Sequence, residues 1–178
     1  MGVPTLRTER LVLREPAPAD APAVLVFRGD PRVQRFNDEP LRDVAAAEAF
    51  IEFLRANSAA DARRHWAITV NDEVVGLIGL HTWQHHHRRA ELGYDMAVPY
   101  WGQGIASEAA RAVIGYGFTT MKLHRIQAHT IADNHRSVRL LERLGFRREG
   151  TLRQYSLEDD LTFHDSAVYG LLRTDAGI

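Results

Sequence analysis

The spacing of apolar residues along the chain switches repeatedly between period 2 and period 3.6, the signatures of half-buried strands and amphipathic helices. Leu6 to Leu13 alternates in part, with Leu11 and Leu13 on one face and Arg10, Val12 and Arg14 on the other. This predicts a first strand, ended by Pro16 and Pro18. Asp20 is placed to cap a helix carrying Ala21, Val24, Leu25 and Phe27, with Pro22 tolerated in its first turn. Gly29-Asp30-Pro31 closes that helix, and Asn37 to Pro40 reads as a loop. Asp43 caps a second helix, in which Ala47, Phe50, Ile51 and Leu54 recur at helical spacing. Trp66 to Val70 and Val74 to Leu80 are apolar and β-branched, and Asn71-Asp72-Glu73 between them predicts a hairpin. Gly76 and Gly79 in its second strand predict a bulge or a close backbone approach. His81 to Arg89 is a polar, histidine-rich connection.

Ala90 to Val98 reads as the next strand, stopped by Pro99. A run of good helix formers predicts a helix over Ile105 to Thr119, with Ala106, Ala109, Ala110 and Val113 small enough for close packing on a sheet. His124 to Ile131 alternates again. Asn134 is placed to cap a helix from Ser137 to Leu144, which Gly145 stops. Phe146 to Leu152 and Phe163 to Leu172 read as two last strands around the acidic turn Glu158-Asp159-Asp160. Strands outnumber helices, yet the helices are interleaved. No internal repeat, linker or low-complexity tract interrupts the pattern, so residues 1–178 are expected to form one mixed α/β domain.

Composition narrows the class of function. The 178 residues include 22 Lys plus Arg and 23 Asp plus Glu, a formal charge of −1. That balance does not point to a nucleic-acid partner, which a net basic excess would. Cysteine is absent, which removes disulfides, thiolate zinc sites and a cysteine nucleophile. No apolar run is long enough to span a bilayer and no charged-then-apolar leader is seen, so no membrane association and a cytoplasmic location are expected.

The candidate chemistry centres on Tyr100-Trp101-Gly102-Gln103-Gly104-Ile105-Ala106, which lies between a strand and a helix. Glycine permits a tight turn and a close ligand approach. The first N–H groups of a helix lack internal partners and carry partial positive charge, so a strand–glycine–helix order suits a phosphate or pyrophosphate. The turn has no lysine, so it is not the phosphate loop Gly-x-x-x-x-Gly-Lys-Ser/Thr, and Ser107 stands where a dinucleotide fingerprint has its last glycine. On these residues alone, anion binding and a turn that merely needs glycine are both open. The histidines His81, His85, His86 and His87 invite a metal reading. Neighbouring side chains in an extended loop point in alternating directions, however, and no carboxylate pair accompanies them, so a solvated loop near an acceptor is expected and no metal.

Several segments together resemble the GNAT acyl-CoA N-acyltransferase superfamily. They are Ala90-Glu91-Leu92-Gly93-Tyr94, Pro99 through Ala109, and Asn134-His135-Arg136-Ser137 followed by Leu141-Glu142-Arg143-Leu144-Gly145-Phe146. The start, Thr8-Glu9-Arg10-Leu11-Val12-Leu13-Arg14, and the end, Asp165 to Arg173, resemble its ribosomal-protein N-terminal acetyltransferase (RimJ/RimL) branch. The resemblance spans roughly residues 5–173. The superfamily's phosphate motif, Arg/Gln-x-x-Gly-x-Gly/Ala, falls on Trp101 to Ala106. Trp101 departs from the usual Arg or Gln, a small loss where the chemistry is backbone N–H donation.

The resemblance implies a mixed, mostly antiparallel sheet of about seven strands flanked by helices. Two neighbouring strands, Glu91 to Val98 and Arg125 to Ile131, would splay apart to admit acetyl-CoA. Its pyrophosphate would meet the amides of Gly102 to Ala106, and its pantetheine arm would pair with the exposed strand like an added strand. Implied cofactor contacts are Met96, Val98, Trp101, Gly102, Gln103, Gly104, Ile105, Ala106, Ser107, Asn134 and Ser137. The implied activity is N-acetyl transfer to a primary amine, foremost a peptide α-amine; a small-molecule amine (polyamine, amino acid or antibiotic) or a non-catalytic acyl-CoA sensor are the alternatives. Direct transfer needs a neutral amine, donors for the tetrahedral oxyanion and a proton for the thiolate. Glu91 is the candidate base, directly or through water. Ser137 is the candidate acid, with Tyr155 and Tyr169 as rivals. RimJ/RimL-like proteins also imply a homodimer.

Overall fold

The computed structural model describes residues 3–37, 39–60, 62–157 and 161–177. The elements follow in the order β1 (Leu6–Arg7), β2 (Val12–Arg14), α1 (Ala21–Arg28), α2 (Pro31–Gln34), α3 (Val44–Ala59), β3 (Arg64–Val70), β4 (Glu73–Gln84), β5 (Arg89–Met96), α4 (Ile105–Thr119), β6 (Arg125–Ile131), α5 (His135–Arg143), β7 (Arg147–Leu157) and β8 (Phe163–Leu172). Eight strands form one sheet in the order β1-β2-β3-β4-β5-β6-β8-β7. Every neighbouring pair is antiparallel except β5 and β6, which are joined by the crossover through α4.

The expected architecture holds, with eight strands where about seven were expected. The extra one arises because Leu6 to Leu13 is two short strands folded back on each other, Leu6 opposite Leu13 and Arg7 opposite Val12. The Thr8 amide donates to the Leu11 carbonyl at 3.0 Å, and the Thr8 hydroxyl accepts from the Leu11 amide at 3.0 Å. A turn thus sits inside what alternation reads as one strand.

Asp20 is not a side-chain cap for α1. It ends a short 3-10 turn (Pro18–Asp20), and its carboxylate reaches back to the Ala17 amide at 2.8 Å and pairs with both Arg14 terminal nitrogens at 2.7 Å. Asp43 does cap α3, accepting from the Ala46 amide at 2.8 Å. The Asn71-Asp72 turn is left-handed at both residues, φ 49° and 68°, as a tight hairpin of right-twisted strands requires. The last hairpin, β7–β8, forms as expected; the acidic turn at Glu158 to Asp160 lies outside the described residues.

Two apolar layers sandwich the sheet. On one face α4 lays Ala109, Ala110, Val113 and Phe118 against Trp66, Ile78, Leu80, Leu92 and Ile126. On the other, α1 and α3 bring Val24, Phe27, Ile51 and Leu54 onto Ala67 and Leu77. Small residues on α4 let the helix approach closely. A Cβ on Gly117 would already come within 3.0 Å of a Leu80 methyl. Gly76 and Gly79 both mark close approaches. A Cβ on Gly76 would lie 2.5 Å from the Asp95 carbonyl, and one on Gly79 would lie 2.4 Å from the His65 ring. Opposite Gly76 the register slips between Ile68 and Thr69, a bulge.

His65 is held over Gly79 and stacks on His81, ring centroids 6.3 Å apart. Burial, then the neighbouring His81, Arg63 and Arg28 charges, push its pKa down to about 3. The folded protein therefore keeps His65 neutral while the unfolded chain protonates it near pH 6.5. The unfolded state binds the extra proton, so this stabilisation is complete above about pH 6.5 and is lost as pH falls toward 3. Replacing His65 by Leu should flatten the stability profile between pH 6.5 and 4 in urea unfolding, relative to the native chain. Equal slopes for the two proteins would show that His65 does not titrate on unfolding.

Candidate active site

The site begins where the sheet comes apart. β5 and β6 pair at Arg89–Arg125, Ala90–Ile126 and Glu91–Gln127, and their ladder goes no further. Past this fork β5 follows β4 out to Gly76–Met96, while β6 stays paired with β8 along its whole length to Ile131–Ser166. Each central strand keeps to its own half-sheet, and the sheet's twist carries the halves apart. The edge of β5 from Leu92 to Met96 that faces β6 is left open to a strand-like ligand.

A cleft of about 1460 Å³ occupies the opening. Its walls come from β5, the turn before α4, the first turns of α4 and α5, the end of β6, the β1–β2 turn and the segment from Arg32 to Asn37. Eight arginines and four carboxylates line it, in a chain whose formal net charge is −1. Positive charge is thus concentrated at the cleft.

After β5 a 3-10 turn (Val98–Tyr100) leads into the glycine segment. The Trp101 indole N–H donates to the Met96 carbonyl at 2.8 Å, which ties the turn to the strand end. Gly102 and Gly104 have φ +76° and +79°, the left-handed region that disfavours side chains. Gly104 is the N-cap of α4, where no side chain bonds to the helix's first amides. A Cβ at Gly102 would meet no atom within 4 Å. The turn therefore presents orphan N–H groups beside open space at the positive end of a 15-residue helix.

Asn134 and Ser137 divide their labour. Asn134 accepts from the Ser137 amide at 3.2 Å and so caps α5. The Ser137 hydroxyl is left to bond the Tyr94 hydroxyl across the opening, at 2.7 Å. Burial pushes the Tyr94 phenol up to about 12, with the Ser137 bond opposing it, so the phenol stays protonated at neutral pH. Nearby, the Arg136 guanidinium of α5 lies 4.3 Å from the centre of the Trp101 ring, a cation–π contact.

The structure brings most of the expected contact residues to this cleft: Met96, Trp101, Gly102, Gly104, Ile105, Ala106, Ser107, Asn134 and Ser137 all line it. Two others are not part of the lining. Val98 packs against the α1–α3 core, and Gln103 turns its amide to the Pro99 carbonyl at 2.7 Å. Glu91 stands half-buried at the fork, in the last β5–β6 pair, and the lining starts one residue later at Leu92. It shares a face of β5 with Gly93 and Asp95, opposite to Leu92 and Tyr94. Tyr169 is 1% exposed in the core, near Glu142 of α5 and outside the lining. Tyr155 is exposed on β7, its ring 6.2 Å from that of His129, a lining residue.

Sequence reasoning alone misses Tyr94, Asp95, Arg136 and the charged group at the β1–β2 turn. Asp95 accepts from Arg28 and from the Asn37 side-chain amide, the latter at 2.6 Å. It thereby fastens α1 and the segment after α2 to the cleft wall. None of these residues carries a local pattern of its own; their partners are dozens of residues away. Among the described residues, no group of three or more His, Asp or Glu is arranged to hold a metal ion, and no helix is long and apolar enough to cross a membrane. In the histidine-rich segment, His85 stacks on Trp83 at 3.9 Å.

The split sheet and its glycine turn place the protein among the acyl-CoA-type acetyltransferases, and comparison with known proteins agrees. The family model for the acetyltransferase (GNAT) domain matches residues 10–147. The chain is 36% identical over 173 residues to the uncharacterized N-acetyltransferase YoaA of Bacillus subtilis (strain 168), covering 96% of this chain and 97% of that protein. The solved structure of Mycobacterium smegmatis RimJ in complex with CoA-disulfide superposes with a TM-score of 0.87 at 26% identity, over 97% of this chain and 88% of that one. A shorter match, 32% identical over 91 residues, is to spermidine N(1)-acetyltransferase of Escherichia coli (strain K12), covering 51% of this chain and 49% of that protein. The chain belongs to the GNAT family. It is an N-acetyltransferase, and its likeness to RimJ agrees with the branch that the two ends of the sequence resemble.

The Tyr94–Ser137 bond joins β5 to α5 across the split. Tyr94→Phe removes one half-buried hydrogen bond, which should cost about 0.5–1.5 kcal/mol. Urea unfolding should show a lower midpoint at an unchanged slope; an unchanged midpoint would mean that the hydroxyl pair adds no stability.

Proposed function

We propose that the protein transfers an acetyl group directly from acetyl-CoA to the α-amine of a peptide or protein N-terminus. The observation that carries this reading is the open edge of β5, ending in a glycine turn whose free amides cap a long helix. Bound acetyl-CoA would supply the activated acetyl thioester. The residues fit it: N–H groups from Gly102 to Ala106 receive the pyrophosphate, and the Leu92-to-Met96 edge pairs with the pantetheine amides as an added strand would.

The chain's own groups then account for each proton: one leaves the ammonium before attack, and the second, shed by the nitrogen as the C–N bond forms and the C–S bond breaks, replaces the one given to the thiolate. The Tyr94–Ser137 pair stays protonated and bridges the cleft, so it is placed to give a proton to the departing thiolate. Glu91, one residue behind the lining at the fork, draws the proton from the ammonium through a water. Unpaired N–H groups of β5 beyond the fork serve the tetrahedral oxyanion.

For the acceptor, the cleft charges weigh against a polyamine. A polycation needs carboxylates free to pair with it. Of the four that line the cleft, Asp95 is paired with Arg28 and Glu108 is held by Thr8 and Arg10, which leaves the exposed Glu9 and Asp133 among eight arginines. Arg32 and Arg35 add positive charge to the cleft wall. A single α-amine on a peptide fits this wall better, and the likeness to RimJ along nearly the whole chain supports it.

Thiol release measured with acetyl-CoA and a panel of free-N-terminal peptides, amino acids and spermidine tests the reading. Peptides should be turned over and spermidine should not; the reverse preference would overturn the acceptor assignment. Glu91→Gln should lower kcat/KM by about 10²–10⁴-fold with CoA affinity preserved, because a positioned base is worth that much. The loss should shrink as pH rises, since more of the amine is then already neutral. A pH–rate profile identical to the native one would remove Glu91 from the chemistry. Gly104→Val forces a branched residue into the left-handed region and pushes on the Arg10 guanidinium, 3.4 Å from where its Cβ would lie. CoA affinity should fall tenfold or more, about 1.4 kcal/mol, by calorimetry. Unchanged affinity in the folded variant would refute the pyrophosphate placement.

A further inference from the structure

A helix whose N-terminus is to receive a polyanion should not hold an uncompensated carboxylate in its first turn. α4 holds one, Glu108. Its surroundings show how that charge is handled. One Glu108 oxygen accepts from the Thr8 hydroxyl at 2.6 Å and from the Arg10 backbone amide at 3.0 Å. The other accepts from Arg10 Nε at 2.7 Å. The same guanidinium, through Nη1, donates to the Gln103 carbonyl at 3.1 Å. Gln103 lies between the two left-handed glycines, so fixing its carbonyl orients the adjoining peptide N–H groups. Burial alone would raise the Glu108 pKa. The Thr8 and Arg10 hydrogen bonds and the Arg10 charge outweigh it and hold it below the usual carboxylate range, so Glu108 is ionised at neutral pH.

We infer that Arg10 is a positioning residue of the pyrophosphate site: it neutralises Glu108 in the first turn of α4 and pins the Gln103 carbonyl, leaving the turn's N–H groups free for the anion. Thr8 and Arg10 come from the β1–β2 turn, nearly a hundred residues before the loop they support. This gives the Thr8-Glu9-Arg10 segment a function that its place in an edge hairpin does not. The inference rests on the acetyl-CoA reading above. Removing Arg10 does two separable things. It frees the Gln103 carbonyl, and it leaves an unbalanced carboxylate one turn from a pyrophosphate. Lysine keeps the charge but cannot pair with Glu108 and the Gln103 carbonyl through one rigid fork. Replacing Glu108 by Gln in the Arg10→Ala background removes the repulsion and keeps an acceptor for Thr8.

The test compares native, Arg10→Ala, Arg10→Lys and Arg10→Ala/Glu108→Gln proteins, checked for folding by circular dichroism. Each is titrated with CoA and assayed with acetyl-CoA and with S-acetylpantetheine, which lacks the pyrophosphate. Arg10→Ala should bind CoA at least tenfold more weakly, while kcat/KM with S-acetylpantetheine stays within about twofold of native. The double variant should bind CoA more tightly than Arg10→Ala, and Arg10→Lys should not restore native affinity. Native-like affinity in Arg10→Ala, equal losses with both donors, or a double variant no better than the single would each overturn the proposal. A native protein that binds no CoA would instead overturn the acetyl-CoA reading, and this inference with it.

Discussion

The molecule depends on a ladder that stops. Two central strands, β5 and β6, exchange backbone hydrogen bonds over three residue pairs and then part, each remaining paired with its outer neighbour. Backbone groups without partners in the middle of a sheet are costly unless water or a ligand satisfies them. Here the cost is limited because the edge lines an open cleft. Much of the rest of the structure follows from that break. The crossover through α4 makes β5 and β6 parallel and brings a helix N-terminus to the mouth of the split. The Tyr94–Ser137 bond ties one lip to the other, and Arg136 over Trp101 makes a second bridge. Asp95, held by Arg28 and Asn37, fixes the outer wall.

The chemistry is economical for the same reason. On the proposed reading, backbone groups would bind and polarise, and only a few side chains would need to move protons. This explains why Trp101 can occupy a slot where the superfamily has Arg or Gln. The role proposed for the turn rests on amides, and the indole anchors it to Met96. Charge is supplied instead by arginines that converge from separate elements, in a chain with almost no net charge.

Local signals in the sequence were sufficient wherever structure is decided locally. The bounds of α4, the Asn71-Asp72 hairpin, the Asp43 and Asn134 caps and the Gly145 stop at φ +88° all rest on residues a few positions apart. The misreadings have equally physical causes. Leu6 to Leu13 reads as one strand because Leu11 and Leu13 keep period 2 and the turn at Thr8, Glu9 and Arg10 has no glycine or proline to mark it. Asp20 resembles an N-cap, but Arg14 and the Ala17 amide compete for its carboxylate and win. The helix α2 has four residues and opens on Pro31, too short to show a period. At the cleft, the glycine turn was legible and its supports were not. Arg10 to Gln103 and Tyr94 to Ser137 are contacts set by topology, and no spacing in a single sequence encodes them.

The central claim is that the open β5 edge and the glycine turn form one continuous binding surface for CoA. Backbone amide chemical shifts followed by NMR during a CoA titration test this most directly. The account predicts that the largest changes fall in two stretches, 92–96 on β5 and 102–107 at the start of α4, with both saturating at a single affinity. It predicts only small changes at the β7–β8 hairpin and in α3. Saturating binding that leaves either stretch unperturbed, or that shifts the two with different affinities, would contradict it.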